Sequence, residues 1–115
     1  MFDGQPKEIE IYESPTGDCP FNEWVAALRD RPTQEYIINW LFKLRAGNSC
    51  DFDTVGEGVL ELRDKRRGPG FRLYIAFAGR HLIVLLCGGD KRTQPRDIKQ
   101  AKNAWREYQQ RKKRS

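Results

Sequence analysis

The chain of 115 residues contains little histidine and cysteine, and this limits the chemistry that it can perform. Its single histidine, His81, follows a Gly-Arg turn, so we expect an exposed turn residue rather than a metal ligand or a catalytic base. The cysteines Cys19, Cys50 and Cys87 are odd in number and far apart, which signals neither a disulfide framework nor a Cys-x-x-Cys metal site. A reducing compartment fits this cysteine usage.

Several catalytic motifs are also missing from the sequence. It has no His-Glu-x-x-His, no cluster of carboxylates and no phosphate-binding loop with a Walker lysine. A serine or cysteine hydrolase would need a base that the chain hardly offers. We therefore predict a site without a metal and without a cofactor.

Long hydrophobic runs are absent as well. The best run, from Leu82 to Cys87, is far shorter than the roughly 20 apolar residues of a membrane span. The first residues include Asp3, Glu8 and Glu10, and they lack the basic start and apolar stretch of a signal peptide. We expect a cytoplasmic protein with no membrane partner, and the length predicts a single domain, residues 1–115.

Positive charge is abundant, and it is concentrated in the second half of the chain. The formal net charge is +5 and the pI is near 9.3. Residues 1–57 hold 5 Lys/Arg and 11 Asp/Glu, a net of −6, whereas residues 58–115 hold 16 Lys/Arg and 5 Asp/Glu, a net of +11. A charge run is often only a solvated surface, but an asymmetry of this kind suggests one face for a polyanion and another for a different partner.

The hydrophobic pattern predicts an α+β fold. Residues 7–12 alternate charge with isoleucine, as in a half-buried strand. Helices that start at Pro20 and after Pro32, the second ending near Gly47, carry apolar stripes and predict a helical hairpin over a sheet. Three strands of an antiparallel meander follow at about 58–63, 70–78 and 81–88. A last helix starts near Pro95, where Gln94 and Asp97 resemble a cap. The basic tail, 109–115, is expected to fray. This order indicates one mostly antiparallel sheet.

Arginines occupy chosen positions of two predicted strands. In the strand 70–78, Phe71, Leu73, Ile75 and Phe77 alternate with Arg72, Tyr74 and Ala76, which predicts an apolar face and a polar face. If the turn centres between Arg67 and Gly68, Arg63 lies opposite Arg72 and Glu61 lies opposite Tyr74. Like charges directly opposite each other destabilise a sheet, so we expect an anion between the two arginines.

Two identities for that anion follow from the residues. Glu61 could supply it in a structural ion pair, which is common on sheets. A bound phosphate is the alternative, favoured because further cations cluster at the same end of the strands, namely Lys65, Arg66, Arg67 and Lys91. The planar fork of arginine matches phosphate oxygens bidentately and keeps its charge.

The motifs that carry these residues resemble the RelE/ParE superfamily of toxins, in particular its HigB-like branch, also known as addiction module killer or phage Gp49-like proteins. The matching segments are Pro20-Phe21-x-x-Trp24, Gly47-Asn48, Gly56-x-Gly58-Val59-x-Glu61-Leu62-Arg63, Gly68-Pro69-Gly70-Phe71-Arg72-x-Tyr74 and Leu86-x-Gly88-Gly89-Asp90-Lys91-x-Thr93-Gln94-x-x-Asp97-Ile98-x-x-Ala101. The resemblance covers residues 7–108. The chain departs from it at Phe71, where tyrosine is frequent, and in the strongly basic 65–67 segment.

The resemblance implies a toxin that is neutralised by a helix-turn-helix antitoxin from the same operon and that contacts operator DNA only through the antitoxin complex. It further implies cleavage of mRNA on the ribosome without a metal ion, with Arg63, Arg72 and Lys91 at the family's basic RNA-handling positions. In this mechanism the RNA 2′-hydroxyl attacks the adjacent phosphate, Lys91 or a lysine of the 65–67 loop assists deprotonation, and the two arginines stabilise the transition state.

Around these catalytic positions, we expect five residues to bind RNA: Lys65, Arg66, Arg67, Tyr74 and Arg92. Tyr74 would serve in stacking or proton handling. Two alternatives stay open, a non-enzymatic ParE-like toxin that inhibits DNA gyrase and an RNA-binding module without catalysis. The fold alone does not decide between them.

Overall fold

The computed structural model of the protein describes residues 2–64 and 70–114. Its elements are β1 (Glu8–Ile11), α1 (Pro20–Ala27), α2 (Arg31–Arg45), β2 (Phe52–Gly56), β3 (Val59–Arg63), β4 (Arg72–Phe77), β5 (Leu82–Gly89), a 3₁₀ turn (Lys91–Thr93) and α3 (Gln94–Arg114). The described strands form a five-stranded sheet in the order β1-β5-β4-β3-β2. β1 is parallel to β5 and the other neighbours are antiparallel, which confirms the predicted α+β fold.

Strand β2 was not predicted from the sequence. It lies at one edge of the sheet, pairs only with β3, and is exposed along most of its length. Because neither face is deeply buried, its residues do not alternate between apolar and polar, and the residue types at Asp53 and Gly56 are uncommon in strands. The tight turn that follows has Glu57 at a φ of 59°, and Arg106 of α3 holds the Glu57 carboxylate with two bonds of 2.6 and 2.7 Å.

Helices cover both faces of the sheet. On one face, α1 and α2 bury an apolar cluster that includes Phe71, Leu73 and Ile75 of the predicted apolar face. The predicted polar face is wrong for Tyr74 and Ala76, which are fully buried in a second cluster beneath α3. The strand pattern alone does not show that a distant helix shields this face from water.

The C-terminal helix continues further than the sequence suggested. The segment expected to fray, 109–115, is helical through Arg114 in the structure. Arg111 donates a hydrogen bond of 2.9 Å to the Glu13 carbonyl, and the Tyr108 hydroxyl donates one of 3.0 Å to Glu10. These contacts tie the basic end of α3 to β1 and to the segment that follows it. No described helix is both long and apolar enough to cross a bilayer.

The glycine pair at the end of β5 allows helices to approach the sheet closely from both sides. A Cβ atom added to Gly88 would overlap the Trp24 ring of α1, and one added to Gly89 would overlap the Asp97 carboxylate of α3. Neither glycine has a positive φ, so the requirement is for space rather than for an unusual backbone. The Gly-Gly motif therefore marks the point where α1, β5 and α3 meet.

Replacing Gly88 with alanine should destabilise the protein by about 1–3 kcal/mol, the usual cost of adding atoms to a packed interior. The loss should shrink in a Trp24→Leu background, because the smaller side chain leaves room for the new methyl group. Urea unfolding of the single and double variants measures this coupling. Equal losses in both backgrounds would show that the Trp24 ring does not impose glycine here.

Candidate functional site

The predicted catalytic residues lie at one end of the sheet. Arg63 ends β3 and Arg72 begins β4, and they are direct cross-strand partners, in the predicted register. Arg72 is also paired with Gly89 of β5, so Lys91 follows just beyond the same end. A Cβ atom placed on Gly70 would lie 3.2 Å from Arg72 Nη1 and 3.7 Å from Lys91 Cβ. The three side chains thus originate from neighbouring points of the structure.

Each of the two arginines has a carboxylate partner. Arg72 Nε lies 3.6 Å from Glu61 Oε2, and these side chains are only 13% and 3% exposed. Arg63 Nη1 lies 2.7 Å from Asp53 Oδ2, with the side chains 27% and 56% exposed. The protein therefore supplies the anions that the opposed arginines require, although Glu61 pairs with Arg72 rather than with its strand neighbour Arg63.

Glu61 is the centre of a buried polar network. Its Oε2 atom accepts hydrogen bonds of 2.9 Å from the Tyr74 hydroxyl and 2.8 Å from Gln94 Nε2. Gln94 is the first residue of α3, so one carboxylate joins β3, β4 and α3. Burial of a carboxylate is tolerated only when it is paired and hydrogen-bonded, and the network meets this condition.

Tyr74 does not have the surface role expected from the sequence. The residue is fully buried, so its ring is not available for stacking on an RNA base. Burial, followed by the hydrogen bond and negative charge of Glu61, raises the pKa of Tyr74 well above its usual range. The phenol therefore belongs to the core, which contradicts the predicted stacking role, and the raised pKa does not favour Tyr74 as a base.

The turn after β5 presents two exposed cations. Arg92 folds back on Asp90, with Nη2 3.2 Å from Oδ2, and its backbone N–H donates to the same carboxylate. Lys91 is exposed and has no hydrogen bond or ion pair among the described residues. Asp90 and Thr93 form the cap at this turn, rather than the predicted pair Gln94 and Asp97. Gln94 instead donates a hydrogen bond to Glu61, and Asp97 accepts one from the Thr93 hydroxyl.

Other predicted or potentially reactive groups lie apart from this cluster. His81 is exposed at the turn between β4 and β5, at the opposite end of these strands, as predicted. Burial raises the pKa of the Cys87 thiol, and the Asp97 charge adds to this, so Cys87 is not an activated nucleophile. The predicted RNA-binding residues Lys65, Arg66 and Arg67 lie outside the described residues.

Sequence reasoning missed two members of the site. Asp53 was missed because it lies on the unpredicted edge strand, and Gln94 was interpreted as a helix cap. The turn register places Glu61 near both arginines, but it does not show which of them the carboxylate contacts. That choice depends on how α3 packs on the sheet.

The chain matches a known family over most of its length. Residues 24–113 match the family described as phage derived protein Gp49-like (DUF891). The chain belongs to this family. The Gp49-like proteins are grouped with the addiction-module toxins of the RelE/HigB-like type, which confirms the predicted group and associates the chain with an antitoxin partner.

A curated relative adds sequence similarity but no activity. An uncharacterized protein of Haemophilus influenzae is 40% identical over 82 residues, which is 71% of this chain and 82% of the relative. No solved structure matches the chain. Membership in the Gp49-like family therefore gives the toxin class, and the choice among molecular targets depends on the site itself.

Replacing Tyr74 with phenylalanine should destabilise this Gp49-like protein by about 1–3 kcal/mol, because buried Glu61 loses a hydrogen-bond donor. Tyr108→Phe is the matched control, since it removes a hydroxyl–carboxylate bond that is only partly buried. We expect the control to lose less stability in urea unfolding. Equal losses, or a more stable Tyr74→Phe protein, would contradict the assignment of Glu61 as a carboxylate that depends on its donors.

Proposed function

We propose that this protein is the toxin of a type II toxin–antitoxin system and that it cleaves mRNA on the ribosome without a metal ion. The observation that carries the proposal is the convergence of Arg63, Arg72 and Lys91 at one end of the sheet. Membership in a family grouped with addiction-module toxins supports the toxin role. A protein that only binds gyrase would not need three convergent cations.

The reaction assigned to these residues is an intramolecular transesterification of the RNA backbone. The 2′-hydroxyl attacks the adjacent phosphorus and loses its proton to solvent, while the bond to the 5′-oxygen breaks and this oxygen takes up a proton from solvent. The products are a 2′,3′-cyclic phosphate and a free 5′-hydroxyl. Arg63 and Arg72 balance the extra negative charge on the pentacovalent phosphorus, and Lys91 assists removal of the 2′ proton. Positioned cations can supply this stabilisation without a metal ion.

The carboxylate partners support a catalytic use of the arginines. Asp53 and Glu61 hold the two guanidinium groups in place before any substrate arrives. The Nε atoms of both arginines are buried and lack hydrogen-bond partners in the described part of the chain. These buried atoms do not reach a substrate themselves, but guanidinium groups that are already oriented are suited to a charge that develops during a reaction, because little reorganisation is needed when it appears.

Replacing Lys91 with alanine should abolish RNA cleavage and growth arrest while leaving stability within about 0.5 kcal/mol, because the side chain is exposed and unpaired among the described residues. Arg80→Ala is the matched control, since it removes an exposed cation from the far turn. Arg72→Ala is a poorer test, because it leaves buried Glu61 without its cation. Mapping of transcript ends after brief induction measures cleavage.

Two results of this experiment would contradict the proposal. Unchanged cuts with Lys91→Ala would remove Lys91 from the mechanism. Growth arrest without transcript cuts, accompanied by loss of DNA supercoiling, would favour gyrase inhibition. Discrete in-frame cuts made by the parent protein and by Arg80→Ala, but not by Lys91→Ala, are the expected result.

The partner should be a small helix-turn-helix protein encoded beside this gene. The net charge of +11 in residues 58–115 favours an antitoxin with an acidic segment over the basic face. Its association rate should fall steeply with added salt, whereas its affinity should fall less if apolar contacts anchor the complex. Pull-down from the native operon, read by mass spectrometry, tests this prediction. Recovery of the toxin alone, with no neighbouring gene product that restores growth, would count against the toxin–antitoxin assignment.

A further inference from the structure

We propose that Glu61 is a positioning residue that fixes the direction of the Arg72 guanidinium and links it to the turn that carries Lys91. This inference rests on the proposed function, because it assigns Arg72 to the reacting phosphate. It concerns a residue with no direct contact to substrate. The evidence comes from the contacts of a single carboxylate oxygen and of the arginine that it faces.

The contacts of Arg72 with the described residues involve two of its three guanidinium nitrogens. Glu61 Oε2 faces the Nε atom at 3.6 Å, and the Gly70 carbonyl accepts a hydrogen bond of 2.8 Å from Nη1. Among the described residues, Nη2 has no acceptor. Two protein contacts therefore set the orientation of the planar group, and the nitrogen that remains is the one available to a phosphate oxygen.

The same Glu61 oxygen also reaches the element behind Lys91. Oε2 accepts from Tyr74 of β4 and from Gln94, and Gln94 directly follows the 3₁₀ turn that begins at Lys91. A change in the carboxylate would thus affect both Arg72 and the start of α3. This coupling explains why a charged group is kept at a site where burial is costly.

Glu61 is poorly suited to act as the base of the reaction. Its side chain is 3% exposed, and its Oε2 atom already accepts two hydrogen bonds and faces a guanidinium. A base must come within hydrogen-bond reach of the proton that it removes, and a side chain that is almost completely buried is poorly placed to reach a substrate hydroxyl. We therefore assign Glu61 to positioning rather than to proton transfer.

Glu61→Gln is the central variant of the test, because glutamine keeps the shape and one acceptor oxygen but removes the charge. With ribosome-bound mRNA as the substrate, kcat should fall by about 10-fold or more while KM changes by about 3-fold or less, as expected when an interaction of the transition state is lost. Asp53→Asn is the matched control, since Asp53 is a more exposed carboxylate that pairs with the other arginine. Asp53→Asn should lower kcat less than Glu61→Gln does.

A double-mutant cycle separates positioning from general damage to the fold. If Glu61 acts through Arg72, Glu61→Gln should have no further effect on kcat in an Arg72→Lys background. Multiplied losses would overturn the proposal, and so would a Glu61→Gln protein with the parent rate. If Glu61→Gln does not fold, Glu61→Asp replaces it in the cycle with Arg72→Lys. If both variants fold, Glu61→Asp should have the higher kcat because it keeps the charge, and equal kcat values would contradict the role of charge.

An NMR measurement makes the inference independent of the nuclease activity. The Nε–H resonance of Arg72, assigned with Arg72→Lys, should show a slowly exchanging, ordered side chain in the parent protein and faster exchange in Glu61→Gln. If the parent protein does not cleave RNA, the proposed function fails, and this resonance still decides whether Glu61 positions Arg72. An unchanged resonance in Glu61→Gln would overturn the positioning role.

Discussion

The ion pair between Glu61 and Arg72 is the constraint on which the site depends. A buried ion pair adds little net stability compared with apolar packing, yet breaking it by removing one partner costs about 3–5 kcal/mol. Its contribution here is to the specificity of the fold, because a slip of one residue between β3 and β4 would send Glu61 to the face covered by α1 and α2. The register that protects this carboxylate also places Arg63 opposite Arg72.

Because helices cover both faces of the sheet, the candidate site residues lie at an end of the strands. Tyr74 and Leu73 are adjacent in β4, and both are fully buried, on opposite sides. Gly88 and Gly89 let helices approach β5 from each side, and the exposed Lys91 follows two residues after Gly89. The position of the site is therefore a consequence of packing, and the glycine pair that permits this packing lies directly before the exposed lysine.

Local pattern was sufficient to predict the main strands, their register and the clustering of Arg63, Arg72 and Lys91, because alternation and turn chemistry operate over a few residues. Three other features depend on distant contacts. β2 has no buried face to generate a pattern, Tyr74 is buried by a helix that begins 20 residues later, and the choice of Glu61 partner depends on Gln94. Sequence reasoning therefore predicted the clustering of the candidate residues but not the burial of Tyr74 or the contacts of Glu61.

The cations that would attract a polyanion are largely different from the arginines of the candidate site. The arginines of the site are each balanced by a carboxylate, and Arg92 is balanced by Asp90. Much of the excess positive charge of the second half therefore resides on cations outside the site, including exposed Lys99 and Lys113. Exposed charges raise the encounter rate with a polyanion but are screened by salt, whereas buried charges are screened much less. A polyanion would accordingly be attracted by the surface lysines and would meet, at the end of the sheet, arginines whose orientation is already fixed.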